Sequence, residues 1–174
     1  MNVIEELKLL KFQINWTLLC IGYRGASSVP ILLNEQDISC YALEILESLD
    51  EGYELIAQLI STGNDDYEFN EILDELIKSE NVDFDLQVRK WRVLLLNRQI
   101  KRLPKDCFEG LISLTELWVS LGLPDDCPNI IQGRNNSYSP KEYYTQSMFE
   151  LVLKNNMKWL KMEISIIISL ETKK

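Results

Sequence analysis

Carboxylates are the side chains of this sequence best placed to do chemistry. Asp65-Asp66-x-Glu68-x-x-Glu71 brings four acids together at a predicted helix start, a grouping that could hold a hard cation. It lacks the glycine at the turn that an EF-hand loop requires, so capping and hydration of a helix end are the preferred account. Asp125-Asp126, in a loop flanked by Pro124 and Pro128, is open to the same two readings. A carboxylate pair for acid–base work needs an apolar surround that splits the two pKa values, and the sequence singles out no such pair.

The 174 residues contain no histidine, which removes the commonest general base and metal ligand near neutral pH. Cys20, Cys40, Cys107 and Cys127 form no C-x-x-C pair, so a zinc ribbon or redox motif is unsupported. Cys20 and Cys40 sit in apolar helical stretches and are expected in the core. Cys107 and Cys127 border loops and are expected to be more accessible. No phosphate-binding loop, dinucleotide fingerprint or G-x-S-x-G is present. The sequence therefore predicts no catalytic residue, no metal site and no cofactor.

Charge supplies the second set of candidates. The net charge is −9, which argues against nucleic acid and against an anionic membrane surface as partners. It is unevenly spread. From Asn34 through Asp85 there are sixteen carboxylates and one base, Lys78, whereas Leu86 through Lys105 hold seven bases and no acid. Two consequences are expected. The basic helix supplies cations to carboxylates packed on it, and the surplus acids form a face that attracts a basic protein. Glu47, Asp50, Glu51, Glu54, Asp65, Asp66, Glu68 and Glu71 are the candidate partner-binding residues of that face. The loop Ile130 to Tyr138 adds Arg134, Asn135 and Tyr138, groups that make adaptable contacts.

The elements that position these residues are helices. Val3 to Phe12 reads as a short helix, and Asn15 caps a second that stops before a loop at Gly22-Tyr23-Arg24-Gly25-Ala26-Ser27-Ser28. Asn34, with Asp37 three residues on, starts a third. Tyr53 to Ile60 forms a fourth between Gly52 and Gly63, and Asp65 or Asp66 caps a fifth. Asp83 to Arg98 is expected to be the hub, with one apolar stripe of Phe84, Val88, Trp91 and Leu95 and an opposite one of Leu86, Val93, Leu96 and Ile100. Gln87, Lys90, Asn97 and Lys101 make its polar sector. Phe108 to Leu121 ends at Gly122, and Asp125 to Ser139 has no periodicity. Ser139-Pro140-Lys141-Glu142 is a capping box. Thr145 caps a last helix expected to bury Phe149, Leu153, Met157, Leu160, Ile164 and Ile168.

The fold class is all-α: a single-domain irregular or orthogonal bundle of about seven to eight helices over residues 1–174, with a short solenoid-like stack as the variant. The apolar run from Ile164 to Leu170 is too short to span a bilayer. Met1 to Glu6 lacks the basic and apolar regions of a signal peptide, and a cytoplasmic location with reduced cysteines is expected.

Three segments carry a family resemblance. They are Asp37-Ile38-x-x-Tyr41-Ala42; Lys90-Trp91-Arg92 followed by Leu103-Pro104-x-Asp106; and Gly110-Leu111-x-x-Leu114-Thr115-Glu116-Leu117-Trp118 through Gly122-x-Pro124-Asp125-Asp126-x-Pro128 and Gln132-Gly133. Together they resemble an uncharacterised bacterial family of small acidic cytosolic proteins, a domain of unknown function. The resemblance implies a bacterial source and one domain and transfers no catalytic residue. Families of this size and charge are similar to immunity proteins, which implies a non-enzymatic module neutralising a basic toxin domain through its acidic face. The alternative class is a carboxylate-based enzyme or a protein binding a small ligand or divalent cation.

Overall fold

The computed structural model describes residues 2–26, 28–47, 53–62 and 66–172. Among the described residues nine helices follow one another: α1 (Val3–Leu9), α2 (Trp16–Arg24), α3 (Glu35–Leu46), α4 (Glu54–Ser61), α5 (Asp66–Lys78), α6 (Phe84–Lys101), α7 (Cys107–Ser120), α8 (Pro140–Tyr143) and α9 (Gln146–Glu171). No strand forms among the described residues; an isolated bridge joins Ala26 and Val29. The all-α class is as the periodicities predict. The chain's contacts divide it into two compact units, Met1–Val88 and Arg89–Lys174, with the division falling inside α6.

In the first unit α3 packs on α4, and α5 packs on both α4 and α2. Their inner faces meet through Leu18, Leu19, Ile38, Leu59, Phe69 and Leu73, all buried. Side-chain caps set the helix starts. Asn15 accepts from the Leu18 N–H at 2.8 Å. Asn34 and Asp37 close a reciprocal capping box. Helix α2 continues through Gly22, Tyr23 and Arg24, where a loop was expected. The chain leaves the helix only at Gly25, whose positive φ of 78° suits a residue without Cβ. Arg24 explains the extension: its guanidinium reaches Asp74 of α5 at 2.6 Å and Asn70 at 2.8 Å, which fixes the last turn of α2. Cys40 is exposed rather than core, because α3 turns Ile38 and Ala42 inward instead. Gly52, Gly63 and Asp65 lie outside the described residues, and Asp66 falls within α5 rather than capping it.

Helix α6 departs from its expected faces. Trp91, Val93, Leu94 and Leu96 are fully buried, but so are Gln87 and Lys90 of the supposed polar sector, while Phe84 is 53 % exposed. An 18-residue helix this deeply enclosed has no solvent sector over its middle turns. Its buried polar groups must therefore find partners. Asn15 donates to the Gln87 amide oxygen at 3.0 Å, and Lys90 meets Glu171 at 2.6 Å.

In the second unit, Leu96, Leu111, Leu114, Trp118, Leu121, Tyr143, Phe149 and Val152 form one cluster. Helix α7 closes with Gly122 at φ 78° and the paired bonds of a Schellman turn, Leu123 N–H to Trp118 O and Gly122 N–H to Val119 O. The Ser139 box starts only a four-residue helix, and Thr145 caps α9 as expected. The face α9 turns inward differs from the one its apolar spacing predicts. Met157 is 42 % exposed, while Asn156, Glu163 and Glu171 are buried. Each of these polar residues has a specific partner: Trp118, Arg89 and Lys90 respectively.

Helix α7 approaches α9 closely at Gly110, where an added Cβ would collide with the Phe149 ring. Gly110→Ala should lower stability by about 1–3 kcal/mol through overpacking, despite the higher helix propensity of alanine. The added change Phe149→Leu should recover part of that loss, as read by urea unfolding. A neutral Gly110→Ala would mean that the two helices have room to spare.

Candidate functional site

Several described acids of the first unit have a clear structural task. Glu80 sits on the N-terminus of α2, accepting from the N–H of Trp16 at 2.7 Å, the N–H of Thr17 at 2.9 Å and the Thr17 hydroxyl at 2.8 Å. A carboxylate there satisfies orphan donors at the positive end of the helix dipole. Glu44 pairs with Lys8 at 2.6 Å, and this hydrogen bond raises the Lys8 pKa. Glu35 accepts from the Tyr23 hydroxyl at 2.8 Å. Asp83 caps α6 through the N–H groups of Asp85 and Leu86.

The predicted partner-binding acids that are described are exposed. Glu47 at the end of α3 and Glu54 at the start of α4 are exposed. Asp66, Glu68 and Glu71 are exposed on α5 and are joined by Glu75 and by Tyr67, the latter 73 % exposed. At 100° per residue Tyr67, Glu68, Glu71 and Glu75 share one side of α5, opposite the buried Phe69, Ile72, Leu73 and Leu76. A hydrogen bond to Glu71 pushes the Tyr67 hydroxyl pKa up. Asp50, Glu51 and Asp65 lie outside the described residues. Tyr67 and Glu75 were missed by sequence reasoning. The signal for both was present in the helical spacing of α5, which separates its wet side from its buried one.

Arg134, Asn135 and Tyr138 belong to the second unit, on the loop between α7 and α8. All three are exposed and line one cleft of about 470 Å³ together with Asp125, Cys127 and Asn129. The loop is built by side-chain amides. Asn136 donates to the carbonyls of Ile131 at 2.7 Å and Arg134 at 2.8 Å, and accepts from the Gly133 N–H at 3.2 Å. Asn129 donates to Thr115 and accepts from Asn156, which in turn accepts from the Trp118 indole at 2.6 Å. Asp126 accepts from the Trp159 indole at 3.1 Å and pairs with Arg92 at 3.2 Å. The Tyr143 hydroxyl donates to Ile130 O at 2.6 Å. Asn135, at φ 55°, takes the left-handed conformation that asparagine tolerates better than most residues. Burial pushes the Cys127 thiol pKa up, against the opposing pulls of the Asn129 backbone N–H and of Arg134, a shift that disfavours the reactive thiolate. Among the described residues no group of three His, Cys, Asp or Glu side chains could hold a metal ion.

These features define an all-α protein with an exposed acidic side on one unit and an amide-built loop on the other. The chain belongs to the family described as "Uncharacterized protein conserved in bacteria (DUF2247)", whose model matches residues 4–164. No curated protein and no solved structure matches it. Among the described residues no helix is long and apolar enough to cross a membrane.

The far end of the loop rests on the Ser139 box, in which Glu142 accepts from the Ser139 N–H at 2.8 Å. That backbone hydrogen bond, helped by the Ser139 hydroxyl, lowers the Glu142 pKa. Because the folded value is the lower one, the stabilisation is fully present above the unfolded pKa. It is lost as pH falls through the folded one. In an NMR titration Ser139→Ala, which keeps the N–H and removes the hydroxyl, should move the Glu142 carboxyl only part of the way back toward the ordinary glutamate value. A full return to that value would show that the backbone N–H does not hold the carboxylate.

Proposed function

We propose that the protein is a non-enzymatic, cytoplasmic protein-binding module of the immunity type, which holds a basic toxin domain against its acidic side. The observation that carries this reading is the wet side of α5. Glu68, Glu71 and Glu75 are exposed beside a largely exposed Tyr67 on one side of α5, opposite its buried apolar residues. Surface acids speed encounter with a basic partner and select against acidic ones. An exposed tyrosine among them supplies the amphipathic contact area typical of interface anchors. Glu47 and Glu54 extend the acidic character to the ends of α3 and α4.

The test is co-expression and co-purification with the product of the adjacent gene. The reading expects a complex and protection of the expressing cell from that product. Glu68→Lys/Glu71→Lys should weaken the complex at least about tenfold at low salt, through several pairs worth ~0.2–1 kcal/mol each, while leaving the helical circular dichroism unchanged. Failure of any neighbour to bind, or indifference of the complex to the two reversals, would defeat the reading.

A further inference from the structure

Two closed turns of the segment between α7 and α8 border the cleft of about 470 Å³. In the first, the Cys127 N–H donates to Pro124 O at 2.9 Å and places Asp125 and Asp126 at the corner. Asp126 is held there by Arg92 and by the Trp159 indole. In the second, the Arg134 N–H donates to Ile131 O at 3.1 Å across Gly133, whose φ of 75° suits the third position of a type II turn. The Asn136 amide staples this turn, giving N–H bonds to Ile131 O and Arg134 O and accepting from the Gly133 N–H. Both turns are therefore organised before anything binds.

Each turn contributes one charge to the lining, Asp125 from the first and Arg134 from the second. Both residues are exposed, and among the described residues neither side chain takes part in a hydrogen bond or an ion pair. Asp126, one position on, is paired with Arg92 by contrast. The Asn135 amide and the Tyr138 hydroxyl, in the same lining, also have no partner among the described residues. Pro124, Ile130 and Ile131 add apolar surface. A few polar groups converging beside apolar ones, in a volume between about 300 and 1,000 Å³, are the make-up of a small-molecule site.

The two charges define the ligand. A simple anion is drawn to Arg134 and repelled by Asp125, and a simple cation meets the reverse. A neutral polyol uses neither charge. A zwitterion uses both, one at each end. Being neutral as a whole, it is neither attracted nor repelled by the net charge of −9, so the local arrangement decides its binding. The guanidinium fork matches a carboxylate, and the Asp125 carboxylate accepts from an ammonium.

We propose that this cleft binds a small zwitterion with an apolar side chain, an α-amino acid or a short peptide, whose carboxylate meets Arg134 and whose ammonium meets Asp125. Asn135 and Tyr138 supply neutral hydrogen bonds around it. The site lies wholly within the second unit. It does not rest on the acidic side of α5, and either reading stands if the other fails.

The test is calorimetric titration of the full chain, at low ionic strength, with L-leucine and with leucyl-leucine. Two analogues each keep one charge of leucine: 4-methylpentanoate lacks the ammonium, and isopentylamine lacks the carboxylate. At least one zwitterion should bind at least about tenfold more tightly than either analogue. Preference for leucine identifies a free amino acid as the ligand, and preference for leucyl-leucine a peptide. In Asp125→Asn the ammonium no longer counts, so that zwitterion and 4-methylpentanoate should bind alike. In Arg134→Gln the zwitterion and isopentylamine should bind alike. Helical circular dichroism should be unchanged in both variants. Bound ligand should slow alkylation of Cys127, which lines the cleft, and leave that of exposed Cys40 unaltered, as read by mass spectrometry. No heat with either zwitterion, analogues that bind as well as the zwitterions, indifference to both substitutions, or alkylation of Cys127 at an unchanged rate would overturn the proposal. Binding of glucose in place of the zwitterions would assign the cleft to polyols and overturn it equally.

Discussion

The second unit depends on one arrangement: two cations at the start of its share of α6 held by two carboxylates of α9. Arg89 pairs with Glu163 at 2.6 Å and Lys90 with Glu171 at 2.6 Å; the Lys90 and Glu171 side chains are only 1 % and 5 % exposed. Desolvating such charges costs several kcal/mol per ion, so the pairs contribute little net stability. Their effect is on specificity. An unpaired ammonium or carboxylate at that depth is far more costly than the paired one, which disfavours any rotation or sliding of α9 that separates them. Glu171 shows the constraint most clearly. It is the last residue of α9, at the negative end of the helix dipole, where a carboxylate is locally unfavourable. Only a tertiary partner makes that position acceptable, and Lys90 is that partner.

Pinning α9 this way determines what the rest of the unit can do. With Glu163 and Glu171 directed inward, Asn156 is directed inward too, and it ties the Trp118 indole to Asn129 and so to the loop before α8. Asp126 is held between Arg92 and Trp159 in the same unit. Exposed Arg134, Asn135 and Tyr138 therefore stand on a loop fixed from beneath.

Much of the fold was legible because its signals are local. The Asn15 and Thr145 caps, the Asn34–Asp37 and Ser139–Glu142 boxes and the Gly122 stop depend on neighbours within a few residues, and each forms as its spacing predicts. The stripes of α6 and α9 were misread for the opposite reason. Lys90 and Glu171 look like solvent-facing residues until each is known to meet the other, and 81 positions separate them in the chain. The same limit hid the tasks of Glu80 and Arg24, which act on α2 and α5 from a distance. The acidic candidates were legible as a group, and Asp66, Glu68 and Glu71 are indeed exposed. Which acids serve as caps or ion-pair partners follows only from tertiary contacts. The expectation that the cations of α6 serve carboxylates packed on it is met at Arg89 and Lys90 by acids of α9, outside the acid-rich stretch from Asn34 to Asp85.

The most direct test of the buried pairing is a double-mutant cycle on Lys90→Met and Glu171→Leu, measured by urea unfolding. Tryptophan fluorescence reports chiefly on the second unit, which holds Trp91, Trp118 and Trp159. Each single change strands one buried charge and should cost about 3–5 kcal/mol, while the double change should recover most of the loss. Single losses below about 1 kcal/mol, or a double loss equal to their sum, would contradict the account.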